Sequence, residues 1–571
     1  MKNQPYHSYL PGLVFVSVLL AACSPSGPKP AAELVIGVGQ DYRATDVFSH
    51  KGFNCLVFQT LVKLDAKGGL QPLVAESWDV GADGKSYTFH LNKDAVFSDG
   101  TPVTARQVKE SMFYKQTRQR KRGPSRWEGG KGEGGKEGRG GPPRRDGESG
   151  RPSEGASGRP SDNDEKLNRE FGSFDNERYN LPKWSPFQSI DVIDDHTIRF
   201  NLDRPYTLFL NELSTTHSYP VLKIDDSEEV TGYIGTGPYK IDEQVRTQYM
   251  ILTRNEHFWQ GEVKIPRIRL KVIPDPETRA ISLEAGEIQL TGYDHFDKVP
   301  NESVTRLKEV PSVTIGRAES LDHPSVSYIA LNYKKAPFTD INVREAIVLA
   351  IDQHAIDVIM SETGRTLPGP FPEDFMLYTP NITPNRYDPA EAKRLLSQAG
   401  WSDSNGDGIL DKDGRPFSIK LTFSAFDPQY KTVAEIVQAQ LKAVGIELKL
   451  EMMELGGHIT TMRSADYDLT FWSMMRYHMF YYTLHPSWLN VYNSTELDDA
   501  FTRYLHVHDE AVNREAVEET QRLITASHVF PLFFERYCVV AWNHDRLRNF
   551  QPLPLGWDLS MELWKADFKP E

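Results

Sequence analysis

The chain has 571 residues and only three cysteines, Cys23, Cys55 and Cys538. None belongs to a C-x-x-C pair, which argues against a cysteine-based zinc site. Cys55 and Cys538 could form one disulfide in an oxidising compartment, but sequence alone does not place them side by side. Positive charge is in deficit: 65 Lys and Arg stand against 79 Asp and Glu, a formal net charge of -14. Such an acid excess favours solubility and argues against nucleic acid as the main partner. No internal run approaches the roughly 20 apolar residues of a membrane-spanning helix. Catalytic signatures are missing too. There is no G-x-S-x-G elbow, no H-E-x-x-H helix and no Cys/His arrangement that reads as a nucleophile with its base. Scattered Ser, His and Asp are not a triad, so the expectation is a protein that is not an enzyme.

One absence is local. No carboxylate occurs from Leu469 to Thr495. Inside that window Phe471 to Trp488 reads FWSMMRYHMFYYTLHPSW, with seven aromatics, three Met, two His and one Arg. A buried core explains the aromatics. It does not easily explain Arg476, His478 and His485 among them.

The N-terminus has a recognisable layout. Lys2 precedes the apolar run Leu13 to Leu20, and AACSPSG follows. Weak positive charge, a short apolar core and small residues at the cut form a signal-peptide pattern. Leu20-Ala21-Ala22-Cys23 also resembles the bacterial lipobox, which implies cleavage before Cys23 and acylation of its thiol. Residues 1–22 are therefore expected to be a lipoprotein signal peptide and 23–31 a Ser/Pro/Gly tether.

Beyond the tether, strand and helix patterns alternate. ELVIGVGQ reads as a buried strand, and Phe53 to Val62 as a helix. Ser86 to Phe97 alternates like a half-buried strand, ending at the turn Ser98-Asp99-Gly100. Thr104 with Gln107 predicts a capped helix start. From Lys121 to Pro160 there are thirteen Gly, five Pro, ten Lys or Arg and six Asp or Glu. That composition cannot offset its ordering entropy by burial, so 121–176 is expected to be a disordered low-complexity insertion. Order resumes at Trp184. Ile190 to Leu202 is a second alternating segment with a turn at Asp-Asp-His. VREAIVLAIDQHAI, PAEAKRLLSQAGW and KTVAEIVQAQLKAVG read as amphipathic helices between strands such as FSIKLTF and IELKLEM. The fold class is α/β with mixed sheets.

Four segments carry a resemblance: Ala75 to Ala105, Tyr233 to Ile241, Arg254 to Trp259 and Tyr387 to Trp401. Together, in this order, they resemble the family 5 extracellular solute-binding proteins, the capture subunits of peptide and nickel ABC importers. TQYMILTRNEHFWQGE and VIPDPETRAISLEAGEIQL are most similar to the nickel-binding branch. The resemblance implies a two-lobed periplasmic-binding-protein fold of the peptide/nickel-binding type. Lobe I would span 32–320, with an extra subdomain and the insertion. Lobe II would span 321–528, and 529–571 would return to lobe I. Chain crossings are expected near Leu321 and Val529. It further implies a lipid-anchored monomer at the periplasmic or outer face of the cytoplasmic membrane, permease subunits as partners, and no resident cofactor. Closure of the lobes would take the ligand out of water.

The resemblance also gives the acid-free segment a place, lining the cleft on lobe II. Peptide-binding relatives have acidic residues there for the ligand's ammonium group. A buried ammonium with no carboxylate is costly. Arg476 offers instead a fork for a ligand carboxylate. His478 or His485 offers neutral imidazole to a metal held by that ligand. Trp472 and Tyr477 supply wall. By resemblance a cleft Trp of the nickel branch falls at Trp184, a pocket Arg at His217 and a pocket His at Trp472. The last two are departures, which suggests a rearranged set of His217, Arg476 and His478. His50 belongs to another loop that aligns with a cleft wall. The expected cargo is nickel as a small chelate. The alternative is a dipeptide or oligopeptide, which needs an acid from elsewhere, such as Asp41, Asp46 or Asp427.

Three further features take plain readings. Asp403 to Gly408 resembles the start of a calcium loop, but Gly414 stands where a bidentate Glu is needed, so a hairpin turn is expected. His506 and His508, two apart on a helical stretch, cannot chelate together. Tyr233 to Gly237 lacks the lysine and the spacing of a phosphate loop and reads as a turn.

Overall fold

The computed structural model describes residues 33–40, 54–65, 69–112, 187–214, 219–224, 233–292, 298–318, 325–371, 373, 378–425, 427–475, 492, 494–552 and 562–569. Its centre is a pair of mixed sheets. The first has seven strands in the order Tyr239–Val245, Tyr249–Arg254, Arg267–Val272, Glu33–Val38, Leu290–Thr291, Cys538–Asn543 and Val313–Ala318. Glu33–Val38 runs parallel to Arg267–Val272, with Ile36 opposite Leu270. Leu34, Ile36 and Val38 are fully buried, as an apolar run in a parallel pair should be. Glu33 closes the register by accepting from Arg267 at 2.9 Å and Arg269 at 2.7 Å.

The second sheet has six strands: Gly364–Leu367, Leu532–Arg536, Ser325–Leu331, Leu469–Met475, Ser418–Ser424 and Glu447–Met453. Helices Ile341–Leu349, Pro389–Gln398 and Pro428–Ala443 cover one face through Ile347, Leu396 and Val437. Three helices begin Asp-Pro. Asp275, Asp388 and Asp427 each accept from an amide of the first turn, and the proline follows at a position that needs no donor. A third, antiparallel sheet of four strands carries Ala75–Val80, Ser86–Leu91, Thr197–Leu202 and Phe187–Asp194. Beside it, the turn at Asp99 is tied by Lys223 at 2.6 Å to a two-stranded pair, Leu222–Ile224 with Tyr233–Gly235. Gly235 and Gly237 also lie there against the Val57 backbone, where any Cβ would collide.

The capping box at Thr104 forms: its amide donates to Gln107 at 2.9 Å, and the Gln107 amide returns to the Thr104 hydroxyl at 3.4 Å. Other readings need correction. The helix predicted over 53–62 shrinks to Asn54–Val57, because Gln59 bridges to Val221 and Val62–Leu64 is a strand. VREAIVLAIDQHAI is two helices, because Asp352 caps a new one at Gln353–Met360. Cys55 is buried in the short helix Asn54–Val57, and the Cys538 side chain lies outside the described residues.

The chain passes back between the large sheets later than expected. Leu532–Arg536 still pairs within the second sheet, and Cys538–Asn543 pairs within the first. The crossing is therefore at Tyr537, not near Val529. The crossing expected near Leu321, the segment 1–31 and the insertion 121–176 lie outside the described residues. Among the described residues no helix is long and apolar enough to cross a membrane.

Candidate ligand-binding site

The acid-free segment begins as the strand Leu469–Met475, paired to Ser325–Leu331 on one side and Ser418–Ser424 on the other. Alternation along it sorts the side chains. Leu469 and Phe471 point into the helix-covered core. There Phe471 stacks on Tyr430 at 5.0 Å between ring centroids, and burial pushes the Tyr430 hydroxyl up to about 12. Trp472 points to the opposite face and is only half-buried.

Trp472 has a polar backing. His458, on the helix Leu455–Arg463, places its ring 5.9 Å from the indole in an edge-on arrangement. The His458 ring is fully buried and bonds the Thr470 hydroxyl at 2.9 Å through Nε2. Desolvation pulls its pKa down to about 4, so it is a neutral imidazole near pH 7. Glu454 starts that helix by accepting from the Gly456 and Gly457 amides. Trp472 is thus held between the strand ladder and a rigid ring. His458 was not anticipated. A lone His carries no periodic signal, and its partner is twelve residues away on another element.

Of the predicted site residues, Trp472 alone lies among the described ones. Arg476, Tyr477, His478, His485, Trp184, His217, His50 and Cys23 lie outside them, as do Asp41 and Asp46.

Asp427 is described, and its surroundings matter for the choice of ligand. Its side chain is buried between two cations. Lys298 donates to it at 2.8 Å, and Arg536 contacts the same oxygen. Its other oxygen caps the helix by accepting from the Gln429 amide at 3.1 Å. A carboxylate already neutralised twice is poorly suited to a ligand ammonium. The Asp403 to Asp411 loop behaves as a turn. Asp403 accepts from Gly406 and Gly408, and Asp411 accepts from Ser404, so these carboxylates bond to their own loop. Among the described residues no three His, Cys, Asp or Glu side chains converge as metal ligands. The helix carrying His506 ends there, with Val507 extended, so His506 and His508 do not share a helix.

Comparison with known proteins agrees with this architecture. The family described as bacterial extracellular solute-binding proteins, family 5 Middle, matches residues 69–494. The nickel-binding periplasmic protein of Escherichia coli is 26% identical over 425 residues, covering 73% of this chain and 69% of that protein. Heme-binding protein A of Haemophilus influenzae is 26% identical over 443 residues, covering 74% and 68%. The solved structure of NikA from Brucella suis in complex with Fe(III)-EDTA superposes with a TM-score of 0.74 at 24% identity, over 94% of this chain and 100% of that one. The two large sheets are therefore the cores of two lobes. The chain is a solute capture protein of an ABC importer, not an enzyme, and it belongs to the family 5 bacterial extracellular solute-binding proteins.

Proposed function

We propose that the chain captures nickel as a small, carboxylate-rich chelate and presents it to the importer's permease. The observation that carries this reading is the missing negative charge. The segment from Leu469 to Thr495 has no carboxylate, and Asp427, the one described acid offered as a substitute, already faces Lys298 and Arg536. A cargo with a free ammonium group finds little to pair with there. A cargo with carboxylates finds Arg476, whose planar fork suits them. A metal in that cargo finds His478, His485 or His217, whose neutral imidazoles suit nickel. Trp472, Tyr477, Trp184 and His50 complete the wall. The chelate arrives and leaves as cargo, so no resident metal is required. Anchoring through an acylated Cys23 belongs to the same reading.

Calorimetric titration of the metal-stripped protein distinguishes the cargoes. Nickel with L-histidine is expected to bind tightly, nickel ion alone weakly, and a dipeptide set not at all. Tight dipeptide binding with no response to nickel would sink the proposal. It would move the protein to the second reading, a dipeptide- or oligopeptide-binding protein, with Asp41 or Asp46 as the acid to replace first.

A further inference from the structure

Among the described residues the polar contacts between the lobes fall into two groups, the second backed by an apolar cluster that runs from Phe200 and Phe209 of the first lobe to Tyr504 and Leu505 of the second. One contact sits at the crossing. Lys298 and Lys308, from the first lobe, reach Asp427 and Glu362 of the second at 2.8 Å and 2.7 Å. Arg317 lies 4.7 Å above the ring of Tyr537, the crossing residue itself. The other contact joins the four-stranded sheet's side of the first lobe to the helix Thr495–His506 of the second. That helix is tied to the second lobe: it packs on Glu510–Ala526, whose end leads through Ser527, bonded to Arg344 at 2.9 Å, into the strand Leu532–Arg536.

The second contact has a specific construction. The last carbonyls of a helix have no donors within the helix. Here the donors come from the other lobe. The Thr207 amide donates to the Leu505 carbonyl at 3.0 Å, and its hydroxyl donates to the Tyr504 carbonyl at 2.9 Å. The exchange is reciprocal, because His506 Nδ1 donates to the Pro205 carbonyl at 3.0 Å. Tyr206 lies between these groups, with its ring 6.3 Å from that of His506 and its hydroxyl donating to Glu212. The helix begins at Ser494, whose hydroxyl accepts from the Leu497 amide at 3.2 Å, at the end of the acid-free segment. A helix of twelve residues spans about 18 Å. One rigid rod of the second lobe thus ends on a cap supplied by the opposite lobe.

We infer that the Pro205–Thr207 loop is a closure clasp, which caps the helix Thr495–His506 when the lobes are shut and releases it when they part. The contact at Tyr537 lies on the crossing itself and turns with it, so it persists. The clasp lies away from the crossing, so lobe separation must break it. This inference rests on two-lobed closure and not on which cargo is bound.

Pulsed electron paramagnetic resonance on the full chain without cargo tests it. Spin labels at Ile193→Cys and Met452→Cys, both exposed and on opposite lobes, report lobe separation. Single-label chains control for the native thiols. The parent is expected to populate a short distance. Thr207→Val is nearly isosteric at an exposed position and keeps the fold; it should lower the short-to-long ratio by about fivefold, the worth of one net hydrogen bond. Thr207→Val with His506→Leu should lower it further. Lys298→Met, at the crossing, should leave it in place. A parent with no short-distance population, clasp variants that retain it, or a Lys298→Met chain that loses it as much as they do would overturn the clasp. Cargo binding plays no part in the readout, so a wrong cargo cannot imitate a failed clasp.

Discussion

His458 shows what a single buried ring does for its neighbours. It fills the space behind Trp472 and bonds Thr470, and burial holds its pKa near 4 against an ordinary value of about 6.5. The folded chain therefore binds fewer protons than the unfolded chain between those two values. The stability associated with the neutral ring is fully present above pH 6.5 and is lost as pH falls toward 4, by up to about 3 kcal/mol. His458→Gln keeps a donor for Thr470 and removes the titration. Its melting temperature should fall less steeply from pH 6.5 to 4 than the parent's, and an unchanged slope would refute this account. Legibility at this scale was uneven. Thr104 and Gln107 announced their reciprocal bonds because the partners sit three apart. His458 and Asp427 did not, because their partners come from other elements. Asp427 could be read as a candidate acid, but its neutralisation by Lys298 and Arg536 depends on two segments more than a hundred residues away in either direction.

At the scale of elements, boundaries follow from backbone groups that need partners. Asp388 accepts from the Glu391 amide at 3.0 Å, Pro389 follows it, and the helix Pro389–Gln398 ends before Gly400 at φ 86°. Each step removes an orphaned donor or supplies a left-handed turn that glycine adopts without strain. Asp388→Ala should cost about 1 kcal/mol, read as a lower urea midpoint with an unchanged slope. The Asp-Pro start and Gly stop of this helix are visible in sequence, and PAEAKRLLSQAGW begins at its first residue, whereas KTVAEIVQAQLKAVG begins inside Pro428–Ala443 and leaves the Asp427-Pro428 start unread. The misreadings have physical reasons. Phe53 to Val62 is apolar enough for a helix, but strand pairing at Gln59 and Val62 takes its second half. VREAIVLAIDQHAI keeps its apolar rhythm across Asp352, yet the Asp352 side chain accepts from the His354 and Ala355 amides and restarts the helix. Apolar pattern alone does not register such a restart.

For the whole molecule, the four quoted segments carried both the two-lobed class and the family. The site was less legible, because composition reveals that charge is missing from a wall but not how side chains are arranged on it. The resemblance puts the crossing near Val529; Leu532–Arg536 and Cys538–Asn543 follow one another with one residue between them, and only pairing reveals that they serve different sheets. Each of these strands lies between two earlier ones: Leu532–Arg536 separates Gly364–Leu367 from Ser325–Leu331, and Cys538–Asn543 separates Leu290–Thr291 from Val313–Ala318. A chain ending before Leu532 should consequently show no cooperative melt by circular dichroism; a transition like that of the full chain would contradict this topology. The same arrangement sets a clock. While a ribosome is still adding residue 500, neither large sheet can close. Here the keystone strands of both lobes emerge almost together and late, so the topology itself delays completion of either core until the chain is nearly whole.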